Sequence, residues 1–187
     1  MHRFIILVLI IGICGASNYI TNGDFEQALT EGWLQSTSGT NTTITRGTNY
    51  HPDPDYEAHV RKYGSGTTGT GYATLYQIVD IPTTQIEFSV DAKLYAWDNH
   101  ADAWAGTAVI IGYLDASNTL LGETRICARS AGCTWQNSAN MHIIPAPDSS
   151  WHNYNFNIND ELSNVPAVIP SQVQKIQVSL YSYTLSC

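Results

Sequence analysis

A short segment of the chain concentrates aromatic rings and small polar side chains in the way that sugar-binding surfaces do. It runs from Tyr95 to Trp104, and Trp135 lies in a second polar stretch further along. Sugars present C–H-rich faces that stack on aromatic rings, while carboxylates and amides bind their hydroxyl groups. The predicted glycan-contacting residues are Trp97, Asp98, Asn99, Asp102, Trp104 and Trp135. The alternative is that Trp97 and Trp104 pack internally and close one end of the fold.

A second candidate is an acidic stretch interrupted by prolines. Asp53, Asp55 and Glu57 alternate along the chain, so in an extended conformation their carboxylates project to one side. Pro52 and Pro54 hold much of this stretch extended. Clustered carboxylate oxygens suit Ca²⁺, although that ion takes six or more ligands. A solvated acidic loop is the alternative.

The sequence lacks the signatures of the common hydrolases. Glycoside hydrolysis needs two carboxyl groups ~5 to 9.5 Å apart, and Pro54 interrupts the strand that would hold Asp53, Asp55 and Glu57 in such an arrangement. No Gly-x-Ser-x-Gly turn occurs. We therefore expect a non-catalytic chain that requires no cofactor, with structural Ca²⁺ as the one ion that the acidic residues suggest.

Two cysteines are spaced for a small disulfide loop. Cys127 and Cys133 are six residues apart across a polar, flexible stretch. An oxidising compartment favours closing such a loop as a disulfide, with a stabilisation of roughly 2 kcal/mol. Cys187 is the last residue, so it bonds either to another chain or to a cysteine beyond this end.

Residues 1–16 have the pattern of an export signal. Arg3 supplies the positive charge, an apolar run extends from Phe4 to Ile13, and Cys14–Ala16 offer small residues for cleavage. The run is about half of the ~20 residues that a membrane-spanning helix needs. We predict a secreted or cell-surface protein with no membrane insertion, and a single domain over residues 17–187. An uncleaved anchor is the alternative.

Charge narrows the class of partner. The chain has 16 acidic and 8 basic residues, for a formal net charge of −8 at pH 7. Such a surface repels phosphate backbones, and it lacks the basic clusters that bring proteins to anionic membranes. We therefore expect no nucleic-acid partner, and the aromatic segment makes a polysaccharide or glycan the expected one.

Apolar residues recur with a period of two over most of the chain, which indicates strands. Thr107–Leu114 is nearly continuously apolar, which is typical of a strand buried on both faces. Asp115–Asn118 reads as a hairpin turn, and a short helix is expected near Asn159–Val165. The predicted strands cover residues 41–46, 57–63, 71–81, 86–96, 107–114, 120–126, 140–144, 153–158 and 176–181. We predict an all-β fold, an antiparallel jelly-roll β-sandwich of about nine strands.

Several short motifs carry a family resemblance. The sequence Asn22-Gly23-Asp24-Phe25-Glu26 is followed by Gly32-Trp33, residues 75–82 read Leu-Tyr-Gln-Ile-Val-Asp-Ile-Pro, and the closing strands lie at 151–156 and 175–181. Together these segments resemble carbohydrate-binding modules of the family 4/9 type, within the galactose-binding-like β-sandwiches. The resemblance covers nearly all of the chain after residue 16 and implies a β-sandwich that binds glycans.

The resemblance also implies a metal site, and this sequence departs from the family pattern at its C-terminal end. Modules of this family often tie a structural Ca²⁺ to the opening strand, so Asp24 and Glu26 are the implied ligands. A last strand that usually carries an Asp has no counterpart before Cys187. We therefore expect the C-terminus to be truncated, with further strands or domains beyond it.

The sequence favours a secreted, non-catalytic carbohydrate-binding module that recognises a polysaccharide through loop aromatics. The alternative is a structural or adhesive surface module that spaces other domains and has no sugar ligand. The exposure of Trp97 and Trp104 distinguishes them, because solvent-facing rings favour sugar binding and buried rings favour a spacer.

Overall fold

The computed structural model describes residues 18–49, 55–64, 69–98 and 103–185. Its strands are β1 (Leu34–Ser38), β2 (Thr42–Gly47), β3 (Glu57–Lys62), β4 (Gly71–Asp80), β5 (Glu87–Lys93), β6 (Trp104–Leu114), β7 (Leu120–Arg129), β8 (Met141–Pro145), β9 (Trp151–Asn157) and β10 (Lys175–Leu185). One short helix, α1 (Ile158–Glu161), and two single 3₁₀ turns at Leu162–Asn164 and Pro170–Gln172 lie between β9 and β10. Among the described residues, no helix is long and apolar enough to cross a membrane.

All nine predicted strands form, and β1 is an additional strand that the side-chain pattern does not reveal. Its sequence is Leu-Gln-Ser-Thr-Ser, and most of its residues are exposed. It is held by backbone pairing with β4, from Leu34 opposite Tyr76 to Ser38 opposite Tyr72. A strand held mainly through its backbone needs no alternation of apolar side chains.

The opening motif does not form the strand that the resemblance suggests. Asn22 and Phe25 adopt positive φ angles of 50° and 57°, which break an extended conformation. The Asn22 side chain accepts a hydrogen bond from the Gln27 N–H at 2.9 Å, and Trp33 Nε1 donates to the Asn22 carbonyl at 3.0 Å. The motif is therefore a side-chain-stabilised turn that anchors Trp33 to the core.

The first layer is a six-stranded sheet with the order β1-β4-β10-β6-β7-β8. Every neighbouring pair is antiparallel except β7 and β8, which run parallel. The sheet is therefore mixed, which corrects the expectation of a purely antiparallel arrangement. The connection from residue 130 to 140 crosses beside the sheet to bring β8 back in the same direction as β7.

The second layer consists of two separate antiparallel pairs, β2–β3 and β5–β9. Both pairs pack on the same face of the first layer, because their apolar residues share one cluster with it. That cluster contains Leu75, Val109, Ile111, Tyr113, Ile126, Ile176 and Val178 from the first layer, and Ile44, Val60, Phe88, Val90, Tyr154 and Phe156 from the second. The two layers and this shared core make the fold all-β and sandwich-like.

A buried chain of polar groups fixes α1 against the first layer. The Tyr113 hydroxyl lies 2.8 Å from Thr124 Oγ1, which donates to Glu161 Oε1 at 2.8 Å. His142 Nδ1 lies 2.5 Å from the same carboxylate oxygen, and Asn164 donates to the other at 3.0 Å. Buried polar groups are stable only when they are hydrogen-bonded, so this chain determines where α1 sits.

Candidate functional site

An open cleft of about 1260 Å³ lies between β3 and β5 in the second layer. Within the described residues β3 pairs only with β2, and β5 pairs only with β9. Val109, Val178 and Leu180 of the first layer form its floor. Ligand sites in proteins commonly occupy roughly 300–1,000 Å³, so the cleft is large enough for several sugar rings.

Two exposed aromatic rings stand at the mouth of the cleft. Tyr95 and Trp97, which follow β5, are 64% and 63% exposed and line the cleft together with Asp98. The Thr107 hydroxyl donates to the Tyr95 carbonyl at 3.1 Å, which fixes this segment to β6. Large exposed rings held on a fixed backbone are available to stack on a ligand. The sequence criterion of solvent-facing rings is met for Trp97.

The β3 side of the cleft carries charged groups. The buried Glu57 accepts a hydrogen bond from the Asn49 N–H at 2.9 Å. The Arg61 guanidinium lies 4.6 Å from the centre of the Tyr63 ring. Burial, with a smaller contribution from Arg61, lowers the pKa of His59 below its usual value. The imidazole is therefore more often neutral than an exposed one, and it can both donate and accept hydrogen bonds.

Lys62 lies at the C-terminal end of β3, on the same side of the cleft. Its Nζ donates to the Gly69 carbonyl at 2.6 Å and to the Tyr63 carbonyl at 3.0 Å. Desolvation lowers the pKa of this buried ammonium group. Its backbone N–H donates to the Ser182 hydroxyl at 2.9 Å, which ties β3 to β10. Lys62 is therefore a structural residue of the wall, held by carbonyl oxygens.

The remaining predicted sugar-binding residues are divided between different places. Trp104 is only 9% exposed and packs on Tyr183, with ring centroids 4.7 Å apart. It lines the end of the cleft, but its ring is internal, as the alternative interpretation expected. Trp135 lies on the far face of the first layer, against Gly106. Asn99 and Asp102 lie outside the described residues.

Three tyrosines on that far face were not identified from the sequence. Tyr72 of β4 and Tyr181 of β10 have ring centroids 5.9 Å apart, and Tyr181 and Tyr183 lie 6.4 Å apart, with small interplanar angles in both pairs. Trp135 lies 6.0 Å from Tyr181. The alternation Tyr181-Ser182-Tyr183 was the available signal, since it places two rings on one face of a strand.

An arginine binds the backbone of the opening motif, beside Asp24 and Glu26, the residues that the resemblance implies as calcium ligands. Arg46 donates through Nε to the Phe25 carbonyl and through Nη2 to the Glu26 carbonyl at 2.6 Å. Its guanidinium also lies 3.2 Å from the centre of the Tyr56 ring. Asp24 accepts from the Glu26 N–H, and Glu26 Oε1 accepts from the Tyr56 N–H. Each of these carboxylates thus accepts one hydrogen bond from a protein N–H group, and the implied calcium site stays a prediction.

The acidic stretch lies only partly within the described residues, so its metal site stays a prediction. Asp53 lies outside the described residues, Asp55 is exposed before β3, and Glu57 is buried at the start of that strand. Within the described ranges, no group of three or more His, Cys, Asp or Glu side chains is placed to hold a metal ion.

The predicted disulfide is wrong, because Cys127 and Cys133 are both free. Cys127 belongs to β7 and is buried on the far face beside Ala108, Ile110 and Ile143. Cys133 lies in the following turn, where its N–H donates to the Ser130 carbonyl at 3.1 Å. Burial raises the pKa of Cys127 to about 11. The thiol therefore stays protonated at neutral pH and reacts slowly.

Comparison with known proteins finds a likeness among solved structures. No family model and no curated protein match the chain. Among solved structures, it is similar to the enzymatically active domain of tailspike protein 4 from bacteriophage CBA120, with a TM-score of 0.51 and 16% sequence identity. The similarity covers 90% of this chain and 20% of that chain. At this identity the likeness shows the fold alone.

This comparison contradicts the prediction of a non-catalytic chain. The phage structure is described as an enzymatically active domain, so the fold gives no reason to exclude catalysis. The missing hydrolase motifs do not restore the exclusion, because catalytic carboxyl groups are positioned by the folded chain and need not be adjacent in sequence.

Proposed function

We propose that this domain binds a glycan in the cleft between β3 and β5, with Tyr95 and Trp97 as the stacking rings. The observation that carries the proposal is the 63% exposure of Trp97 at the mouth of a cleft that is open to solvent. An exposed aromatic ring beside a cleft is available to stack on the C–H face of a sugar. Because Thr107 fixes the backbone at Tyr95, the rings need little rearrangement on binding.

Polar groups around these rings suit a polyhydroxylated ligand. Asp98, His59 and Arg61 line the same cleft and offer acceptors and donors for hydroxyl groups. The backbone edges of β3 and β5 offer further N–H and C=O groups along its length. A shallow site of this kind binds weakly, with dissociation constants of about micromolar or weaker.

The family and the cellular location are further parts of this proposal. We propose a carbohydrate-binding module of the family 4/9 type with a jelly-roll arrangement, which is supported by two stacked β-layers and by closing strands at the positions that the resemblance assigns. The export signal at residues 1–16 supports secretion to the extracellular space or cell surface.

Affinity electrophoresis against mixed-linkage β-glucan, xylan and host-type glycans tests the proposal. We expect at least one polymer to retard the wild-type chain, and Trp97→Ala and Tyr95→Ala each to reduce its affinity about tenfold, which corresponds to ~1.4 kcal/mol. Ile169→Ala is the matched control, because Ile169 is exposed but lies outside the cleft. The same samples are assayed for new reducing ends, which reports any cleavage.

The result that would overturn the proposal is unretarded migration of the wild-type chain in every gel. That outcome would favour the spacer alternative. Retardation that Trp97→Ala and Tyr95→Ala leave unchanged would show that the chain binds glycans elsewhere than in the cleft.

A further inference from the structure

The six-stranded first layer has two faces, and only one of them packs on the second layer. On β10, Ile176 and Val178 are buried in the main core, so Gln177 between them belongs to the opposite face, the far face. Trp135 packs over Gly106 and covers one part of this face. Besides Trp135, the apolar cluster on the far face contains only residues of the sheet itself, among the residues that the structure describes. The rest of the far face is therefore open.

Exposed aliphatic side chains gather on the far face. In the described part of the chain four large aliphatic side chains are mostly exposed, and three of them, Leu34, Ile78 and Leu120, are on this face with exposures of 57%, 37% and 54%. The ladder partner of Leu34 is two residues from Ile78 in β4. Gln177 pairs with Ile78 on one side and with Gly112 on the other, and Leu120 lies beside Gly112. Leu34, Ile78 and Leu120 thus form an apolar band across the sheet, and such bands mark interaction surfaces.

The far face is nearly neutral although the chain is strongly acidic. Glu123 pairs with Arg125 at 2.6 Å, and Asp80 lies 3.9 Å from Lys175. Arg129 is the remaining charged residue that the described strands place on this face, so three basic and two acidic residues give it a formal charge of +1. The whole chain has a formal net charge of −8. Contact between like charges is costly, and the far face is a surface on which two copies can meet without opposing carboxylates.

The open sheet is large enough for a dimer interface of modest strength. With ~3.3 Å of rise per residue and ~4.8 Å between strands, its six strands present roughly 800 Å² on one face. Trp135 takes up the part above Gly106 and Cys127. Specific interfaces bury about 800 Å² on each partner, and transient ones bury less. The open part of the far face therefore suits a dimer that dissociates at about micromolar concentrations.

We propose that the chain forms a symmetric dimer in which the far faces of two copies pack on each other. Two such sheets stack ~10 Å apart with their strands within about 30° of each other, and a two-fold axis places the same apolar band on both sides of the contact. The cleft opens in the second layer, across the core from the far face. Both clefts therefore stay open in the dimer. The dimer does not depend on the proposed function, but if that function holds, it carries two glycan sites and gains avidity for a polymer.

Sedimentation equilibrium of the exported chain over a range of concentrations, with a reductant to keep thiols free, tests the inference. We expect a monomer–dimer equilibrium for wild type. Ile78→Asp and Leu120→Asp each bring two carboxylates into the contact, one from each copy, and should raise the dimer dissociation constant at least about a hundredfold. Ile169→Asp is the matched control, because Ile169 is also exposed but lies in the connection between α1 and β10. It should stay within about twofold of wild type.

Cross-linking guards against a folding defect in the aspartate variants. Two far faces overlap most when the two-fold axis passes near their centre. Gln177 lies there, half-buried on one of the two middle strands, so the two copies of residue 177 come close together. A short reagent with two thiol-reactive ends should therefore join Gln177→Cys into a covalent dimer. Wild type and Asn155→Cys, which places a thiol on the exposed surface of β9, are the controls.

Three outcomes would overturn the inference. A wild-type chain that stays monomeric at its highest soluble concentration would leave the far face to solvent or to a different partner. Dimers that Ile78→Asp and Leu120→Asp leave unchanged would have formed at another surface. Cross-linking of Asn155→Cys as efficient as that of Gln177→Cys would show that the far faces do not meet. Loss of dimer in both aspartate variants, with Ile169→Asp unaffected and Gln177→Cys cross-linked, would support the inference whether or not a glycan binds.

Discussion

The two layers of this fold differ in how completely their strands are hydrogen-bonded to one another. The first layer is one continuous sheet of six strands, in which β10 and β6 each have partners on both sides. The second layer covers the same core with two pairs of strands that do not meet within the described residues. Both layers supply apolar residues to one shared cluster, so the difference lies in hydrogen bonding between strands and not in the core.

This contrast explains which aromatic rings are accessible to a ligand. Rings on the continuous sheet, such as Tyr181, are half-buried against each other and present a fixed surface. Rings beside the divided layer, such as Trp97, are isolated and largely exposed. A complete sheet can offer a ligand only its face, whereas a divided layer also offers a cleft with strand edges and charged walls.

The largest expected effect compares core residues of the two layers. Ile111 is fully buried in β6, while Val90 of β5 is half-buried against the same cluster. Ile111→Ala should lower the free energy of unfolding by about 3 kcal/mol through lost contacts and a cavity. Val90→Ala should cost about 1 kcal/mol. Urea denaturation measures both, and equal losses would show that Val90 is packed as tightly as Ile111.

A glycine on the continuous sheet tests how firmly its far face is packed. A Cβ at Gly106 would lie 2.7 Å from the Trp135 ring, whereas one at Gly112 would lie 3.2 Å from the flexible end of Leu120. Gly106→Ala should cost about 1–3 kcal/mol by overpacking and shift the Trp135 fluorescence. Gly112→Ala, the control in the same strand, should cost less. Similar losses in the two variants would show that Trp135 is not tightly seated.

An Arg46→Met variant, together with calcium titration, tests whether Arg46 stabilises the opening motif without a metal ion. Arg46→Met removes two charge-assisted hydrogen bonds to the Phe25 and Glu26 carbonyls and should cost about 1–2 kcal/mol. Because Arg46 occupies these carbonyls, neither excess Ca²⁺ nor a chelator should change the melting temperature of the wild-type chain. A marked rise with Ca²⁺ would support the calcium prediction.

The smallest expected effect is a pH dependence that arises in the cleft wall. Burial and Arg61 lower the pKa of His59 in the folded chain, so the unfolded chain binds a proton there at higher pH than the folded one. Stability should therefore fall as the pH drops from about 6.5 through the lowered pKa. His59→Gln should flatten this part of a stability–pH curve, compared with wild type and with the control His152→Gln. An unchanged slope would show that the imidazole is not desolvated.

The strands could be predicted from the sequence where side chains record their burial. The alternation in β5, β9 and β10 and the continuous apolar run of β6 are direct consequences of which faces are covered. β1 could not be found in this way because it is held by its backbone. The parallel pairing of β8 with β7 could not be predicted either. Side-chain alternation is the same in parallel and antiparallel strands, and the direction of a strand depends on the course of the connection before it.

The candidate site residues were less predictable than the strands because their positions depend on contacts between residues far apart in the sequence. Trp97 was found because it lies in a polar segment between strands, where a large ring is unusual. Trp104, in the same segment, is internal because Tyr183 of β10 covers it, a contact between residues far apart in the sequence. The disulfide failed for a similar reason, because β7 sets the direction of the Cys127 side chain and six-residue spacing does not.

The facing rims of β3 and β5 carry a consequence for solubility. Unpaired strand rims can recruit strands from other polypeptides and so seed fibrous association. Arg61 on one rim, and Asp91 and Lys93 on the other, place charges where an intruding strand would have to lie. An occupant of the cleft would add a second safeguard, so a chain deprived of it should depend most on these three side chains to remain dispersed.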